Sequence, residues 1–335
     1  MFSWSMRWAG QSVGNVVSDA AALPGLEEMP GLVRTVRTPE FAGVTFHEVM
    51  ARSALNHVPA TSDVPFRWTI NPYRGCTHGC VYCFARQTHS YLDLDTGADF
   101  DAEIVVKVNV AEVLAREVAR PSWGREAVAL GTNTDPYQRA EGRYRLMPGI
   151  IEALAGSATP FSILTKGTTL RRDLSLLAEA ASRAPVMMGV SLALLDETVQ
   201  ETLEPGTPSP RARLELVRSI RAAGLPCQVL IAPVLPLLTD RDDDLERVIT
   251  AVAEAGATSA SVMALHLRPG AREWFLRWLG EQHPELVEPY SELYRGGSYV
   301  LKSYASDLAE RTRPLLRRFG LNRPSAWRQP SRDSS

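Results

Sequence analysis

Three cysteines fall within eight residues, Cys76, Cys80 and Cys83 in the run Asn71-Pro-Tyr-Arg-Gly-Cys-Thr-His-Gly-Cys-Val-Tyr-Cys-Phe84. Thiolates this close wrap one small soft-metal centre, and zinc, copper(I) and iron–sulfur centres all suit sulfur ligands. An odd number leaves one coordination position without a thiolate. A structural zinc or an inert cluster closes its shell with a fourth protein ligand, and the one other cysteine, Cys227, is far downstream. A zinc site completed by His78 or His89, or three simply buried cysteines, are the alternatives that the residues alone leave open.

Cysteine usage also speaks about the compartment. Four cysteines, three of them clustered as ligands, argue for a reducing environment and against a disulfide framework. The start of the chain shows no basic region followed by an apolar stretch and a small-residue cleavage site. No apolar run approaches the roughly 20 residues that span a bilayer, so the expectation is a cytoplasmic protein with no membrane contact. With 335 residues, 45% of them hydrophobic, the chain has material for one large or two ordinary domains. A net charge of -2 gives no general attraction to nucleic acid. From Arg311 to Ser335, however, seven arginines (311, 313, 317, 318, 323, 328, 332) face a single acid, Asp333. This is either a phosphate-binding tail or a solvated helix end followed by a disordered segment.

After the cysteines, apolar runs alternate with amphipathic stretches. Residues 66–71, 127–130, 161–164, 186–190, 228–232 and 261–265 read as short buried strands, with helices over 110–119, 147–156, 172–183, 210–223 and 242–255. Near-continuous apolar strands separated by helices mark a parallel sheet covered by helices. Right-handed crossovers curl six such βα units into a barrel or part-barrel. The expected fold class is therefore α/β, a partial (βα)6 TIM-like barrel over residues 61–270. An N-terminal extension (1–60) packs on it, a C-terminal helical segment covers 271–320, and a disordered tail rich in Arg, Pro and Ser covers 321–335. Active-site groups belong at the carboxyl ends of the strands, where Gly131-Thr-Asn-Thr-Asp-Pro-Tyr137, Thr165-Lys166-Gly167 and Ser191 fall. A lysine directly after a buried strand is costly to bury alone, so Lys166 implies a carboxylate partner. Trp274, Phe275, Trp278 and Leu279, at helical spacing, are expected to seal the barrel bottom. The segment 290–299, with Tyr294, Gly296, Gly297 and Tyr299, reads as a flexible lid.

The Cys-x3-Cys-x2-Cys loop with an aromatic, Tyr82, before its last cysteine resembles the signature of the radical S-adenosylmethionine (SAM) superfamily. Together with Asn71-Pro-Tyr-Arg-Gly-Cys76, Gly131-Thr-Asn-Thr-Asp-Pro-Tyr137, Leu164-Thr-Lys166 and Leu203-Glu-Pro-Gly-Thr-Pro-Ser-Pro-Arg-Ala-Arg213 it is similar to the spore photoproduct lyase-like branch, often labelled DNA repair photolyases, over about residues 65–280. The resemblance implies that Cys76, Cys80 and Cys83 hold three irons of a [4Fe-4S] cluster and leave the fourth for SAM. An electron donor such as flavodoxin or ferredoxin would reduce the cluster, and SAM cleavage would generate a 5'-deoxyadenosyl radical. It further places Thr134 at the SAM amino group, with Lys166 and Ser191 at its carboxylate and surroundings. Tyr82 either meets the adenine or packs in the core. Glu204 and Arg213 either pair so that the guanidinium nears the SAM carboxylate or form an ordinary surface ion pair.

One departure from that branch bears on the substrate. Photoproduct lyases carry after strand two a cysteine that returns a hydrogen atom, where this chain has Thr132 and Asn133. Cys227 could point into the barrel, but a lone buried cysteine is more often a small hydrophobe. The expectation is a monomeric radical SAM enzyme acting on an unidentified substrate, with nucleic acid as one candidate. The alternative is a noncatalytic nucleic-acid-binding protein stapled by zinc or a cluster.

Overall fold

A computed structural model describes residues 29, 31–59, 62, 64 and 66–322. Arg323, Arg328 and Arg332, and most of the N-terminal extension before β1, lie outside them. The strands are β1 (Leu32–Val36), β2 (Thr45–Val49), β3 (Leu55–His57), β4 (Trp68–Ile70), β5 (Tyr73–Arg74), β6 (Glu103–Lys107), β7 (Val128–Leu130), β8 (Phe161–Thr165), β9 (Val186–Ser191), β10 (Cys227–Val234) and β11 (Ser259–Ala264).

Six of them, β4 and β7 to β11, lie side by side in sequence order and pair in parallel, with β3 added antiparallel at the β4 edge. Each crossover carries a helix where the sequence pattern put one: Val110–Val118, Leu146–Gly156, Leu174–Ala181, Pro210–Ala222 and Asp242–Glu254. The period-two alternation explains why the strands look apolar throughout. Ile163, Met188, Val190, Val229 and Ile231 are buried in one continuous core with helix residues Ile150, Leu177, Ile220 and Val248. Each such side chain contributes on the order of 2 kcal/mol on leaving water. The opposite face carries the half-buried Leu164, Met187 and Leu230 and the polar Ser191 and Gln228. Cys227 sits on the helix side of β10, fully buried in the main core. It behaves as a small hydrophobe and does not point into the barrel.

A second sheet, in the order β1-β2-β6-β5, joins the extension to the cysteine region. Its β2 and β6 run parallel and β5 pairs antiparallel with β6. One face, with Phe46, Tyr73, Ile104 and Val106, enters the main core. The opposite face holds Val49 and Val105 against Met29 and Leu94.

Two glycines let the strand-end loops nest. Gly131, just after β7, has φ +89°, and a Cβ there would lie 2.0 Å from the Leu164 carbonyl oxygen. At Gly167 a Cβ would meet the Tyr137 carbonyl at 2.0 Å. Gly131→Ala should therefore destabilise the fold by roughly 3 kcal/mol, through both a backbone clash and a left-handed conformation. Gly142→Ala, in the helix Arg139–Tyr144 with nothing within 4 Å of its Cβ, should be neutral or slightly stabilising. Urea midpoints of the two variants test this, and equal midpoints would contradict it.

Candidate functional site

The cysteine loop leaves β5 through Gly75, at φ +83°, and is gripped by backbone from three other places in the fold. Cys76 N donates to Phe100 O (3.0 Å), Val81 N to Leu203 O (3.0 Å), and Gly206 N to His78 O (2.9 Å). A Cβ on Gly206 would sit 2.0 Å from the Thr77 carbonyl oxygen, so the Leu203–Arg213 motif needs its glycine in order to lie against the cysteines. Gln138 Oε1 accepts from Thr77 N (2.8 Å), while Gln138 Nε2 (3.1 Å) and Thr134 Oγ1 (2.7 Å) both donate to Gly75 O.

Arg86, which the sequence reading missed, locks the far side. Its guanidinium donates to Cys80 O (2.9 and 3.1 Å), Gly97 O (2.7 Å) and Asp101 (2.9 and 3.0 Å), with no exposed surface. It lies 5.1 Å from the ring centroids of both Phe100 and Trp274. Nothing near Arg86 in sequence signals this, because Trp274 is supplied by a distant helix.

That helix, Ala271–Gln282, corrects one expectation. Phe275, Trp278 and Leu279 pack with Cys80, Val81, Tyr82, Leu235 and Leu265, at the carboxyl ends of the strands, and do not seal the barrel bottom. The lid expected at 290–299 is anchored at two of its tyrosines. Tyr290 and Tyr294 are buried and donate to Pro236 O and Leu265 O, each at 2.8 Å. Gly296, Gly297 and Tyr299 are exposed, the Tyr299 ring 4.6 Å from that of His266.

Cys76 and Cys80 are buried and Cys83 half-buried. Burial pushes the Cys76 thiol well above its usual range, pushes Cys80 up to about 12, and raises Cys83 despite Arg86. Protonated thiols in such a place become ligands only when metal binding displaces their protons to water. The histidines named as alternative ligands each have a partner, though the buried His89 Nδ1 has none. His78 Nδ1 lies 3.3 Å from Asp135 Oδ2, and His89 Nε2 donates to Glu103 O (2.9 Å). Among the described residues no three His, Cys, Asp or Glu side chains converge as ligands of one metal ion. Three thiols of this kind could each hold one iron of a cluster.

Beside Cys80 stands a buried polar group built from three motifs. Glu204 and Arg213 pair at 2.5 Å with no exposed surface, which rules out the surface ion pair. The Tyr82 hydroxyl donates to Glu204, and Arg213 Nη1 donates to Ser191 O (3.2 Å). Burial would raise the Glu204 carboxyl, but Arg213 and Lys166 hold it below its usual range. The Lys166 ammonium lies 5.6 Å from the Tyr82 ring centroid. No carboxylate pairs with it directly among the described residues, contrary to the expectation. Burial works to lower its pKa, and the charges of Cys80 and Glu204 outweigh that and raise it. The Arg213 Nε–H is buried with no partner.

Tyr82, Lys166, Ser191 and Arg213 are thus gathered beside Cys80. The Ser191 hydroxyl itself donates to Ala232 O (3.3 Å). Thr134 is elsewhere, bracing the Gly75 carbonyl behind the loop. Asp135, also missed, accepts from Thr165 Oγ1 (2.5 Å), Lys166 N (2.7 Å) and Tyr137 N (2.9 Å). Thr132 Oγ1 and Asn133 N both donate to Asn71 Oδ1 (3.3 and 3.2 Å).

A family model described as the radical SAM superfamily matches residues 70–249, from the end of β4 into the helix Asp242–Glu254. The chain belongs to the radical SAM superfamily. It is an enzyme, and the family implies an iron–sulfur cluster, SAM and a reductant. An uncharacterized protein of Mycobacterium tuberculosis is 58% identical over 318 residues, 94% of this chain and 93% of its own length. Another uncharacterized protein, from Acidianus two-tailed virus, is 27% identical over 245 residues, 71% of this chain and 80% of its own. Among solved structures, a tyrosine-to-phenylalanine mutant of spore photoproduct lyase superposes with a TM-score of 0.61 at 17% identity, covering 82% of this chain and 79% of the lyase. A mutant of that lyase with bound AdoMet and dinucleoside spore photoproduct gives the same TM-score and coverage at 15% identity. These lyases share the fold. No described helix is long and apolar enough to cross a membrane.

His89 makes the cysteine region of this radical SAM enzyme sensitive to acid. Burial pulls its pKa from 6.5 to about 4, so the folded ring stays neutral while an unfolded one takes a proton. The unfolded state then binds more protons between pH 6.5 and 4, and stability falls as pH falls through that window. For the metal-free protein about 2 kcal/mol should be lost to this group between pH 7 and pH 5. Urea unfolding of His89→Gln at both pH values checks it, since the loss should shrink by that amount. An unchanged pH dependence would exclude His89 as the cause.

Proposed function

We propose that this enzyme binds a [4Fe-4S] cluster through Cys76, Cys80 and Cys83 and cleaves SAM reductively for hydrogen abstraction from a substrate. The observation that carries this reading is the placement of a buried Lys166, Arg213, Glu204 and Tyr82 group directly beside Cys80 at the strand ends. A cluster held by these cysteines, once reduced by an external donor, would supply one electron to the sulfonium of SAM, whose S–C5' bond would break to give methionine and a 5'-deoxyadenosyl radical.

This chain's own residues hold and dry that site. The unpartnered Arg213 Nε–H and the Lys166 ammonium give two cationic donors for a carboxylate such as that of SAM. Glu204 fixes the guanidinium so that its free N–H needs no reorganisation. The Tyr82 ring, clamped by its hydroxyl, offers a flat face beneath the lysine. Ser191 acts through its carbonyl on Arg213, and Thr134 through the loop backbone; both are positioning residues in this reading.

With Thr132 and Asn133 tied to Asn71 and Cys227 under the helices, no thiol stands at the strand-two loop to return a hydrogen atom. A threonine hydroxyl is a poor donor, its O–H bond being much stronger than a thiol S–H. The proposed substrate is therefore one whose reaction ends without hydrogen return from that loop. A flavodoxin- or ferredoxin-like donor, a cytoplasmic location and a monomeric state complete the proposal. The zinc staple is disfavoured, since the three thiols and the two histidines do not converge on one ion.

Replacing Cys76, Cys80 or Cys83 by Ala should abolish four-iron content after anaerobic reconstitution, with Cys227→Ala retaining it; iron and sulfide analysis decides. Cluster loss in Cys227→Ala would refute the three-thiolate arrangement. Lys166→Met should weaken SAM binding ten- to hundred-fold in equilibrium dialysis, equivalent to about 1.5–3 kcal/mol for a charge-assisted hydrogen bond. Unchanged affinity in a folded variant would remove Lys166 from the site.

A further inference from the structure

Trp274 lies outside residues 70–249, the stretch that the family model matches, yet it reaches the cysteine loop. Its ring packs on Gly97, where a Cβ would stand 2.5 Å from the indole Cε3 and Cζ3. The guanidinium carbons of the buried Arg86 and the exposed Arg277 each lie 5.1 Å from an indole ring centroid of Trp274.

Arg86 carries that contact to the thiols. Cys80 O accepts from Cys83 N (3.2 Å), which closes the turn between the second and third cysteines, and also from Arg86 Nε (3.1 Å) and Nη2 (2.9 Å). Together with the bonds to Gly97 O and Asp101, this fork fixes the guanidinium within its own plane, because its N–H groups all lie in that plane. Tilt out of the plane is left to the rings that stack on it, Phe100 and Trp274. Phe100 belongs to the small core that holds Cys76 and Cys83. The Arg86 charge bears on Cys83 as well, where it opposes the burial that raises the thiol.

We infer that Trp274 is a positioning residue for Cys80 and Cys83, acting through Arg86. Without the indole the guanidinium tilts, the fork on the Cys80 carbonyl lengthens, and the turn that spaces the two thiols loosens. The helix Ala271–Gln282 thereby takes part in the geometry of the thiols as well as in covering them. This inference rests on the proposed three-thiolate site, and one arm of its test reads the metal-free thiols so that the two can fail separately.

In that arm the metal-free protein is alkylated with iodoacetamide, and each cysteine is followed by peptide mass spectrometry. In Trp274→Leu, Cys80 should react about ten-fold faster than in the wild type, the ratio expected on losing a hydrogen bond to a charged group. Cys227, in the main core, should keep its wild-type rate. Trp274→Phe restores a ring over Arg86 and should stay close to the wild type. Arg86→Lys keeps the charge without the fork and should speed Cys80 at least as much as Trp274→Leu does. The double variant should react no faster than Arg86→Lys alone, since the indole acts through the guanidinium. In the second arm, after anaerobic reconstitution to equal iron content, Trp274→Leu should release iron to a chelator faster and shift the electron paramagnetic resonance signal of the reduced protein, with Trp274→Phe restoring both. If the wild type took up no iron, the three-thiolate site would fall, while the alkylation rates would still uphold or overturn the role of Trp274. Equal acceleration at Cys80 and Cys227 would mean general loosening of the fold, and additive effects in the double variant would mean that Trp274 does not act through Arg86. Either result overturns the inference, as does an unchanged Cys80 rate in Trp274→Leu.

Discussion

A single carboxylate, Asp135, holds the catalytic end of this enzyme together. It takes hydrogen bonds from the residue after β8, from Thr165 at the end of β8 and from its own loop, and it meets His78 between the first two cysteines. Burial would push its carboxyl up, yet His78 and these donors hold it below the usual range. Three segments that are far apart in sequence thereby share one anion. The cysteine loop cannot shift without disturbing Lys166, and the lysine cannot shift without disturbing the loop after β7.

The same logic explains why the chain's motifs occur as a set. Gly206 lets the fourth motif touch Thr77, Gly131 lets the second lie on Leu164, and Gly167 lets the third lie on Tyr137. Each glycine marks a backbone-to-backbone contact at which any side chain would collide. Glu204 and Arg213 add a fully desolvated pair next to Cys80. A buried pair of this kind is weak evidence for stability, since its desolvation cost rivals its attraction. Its worth here is in fixing where a guanidinium N–H points.

Much of the main sheet was legible because six apolar strands and five amphipathic helices announce themselves by period. Boundaries fell within a few residues, as for the strand expected at 161–164 and found at Phe161–Thr165. The second sheet was not legible. β5 has two residues and so no period, and β6 pairs with β2 across more than fifty residues of sequence. Periodicity also shows that a helix has an apolar face without showing what the face meets, which is why Trp274 to Leu279 were assigned to the wrong end of the barrel. In the site, residue types gave the three thiols and the Glu204–Arg213 pair. They could not give Arg86, Gln138 or Asp135, whose roles exist only after distant loops converge.

The wall formed by the helix Ala271–Gln282 and the segment through Tyr294 has a practical consequence. Every sequence motif and the whole family match end before residue 250, yet the cover over Cys80 and Tyr82 is built from Phe275, Trp278, Tyr290 and Tyr294. A fragment cut at the end of β11 would keep the three cysteines and lose their shelter. Water would then reach Cys80 and Tyr82, which the intact chain buries, so what reads as an appendage decides how dry the strand ends stay.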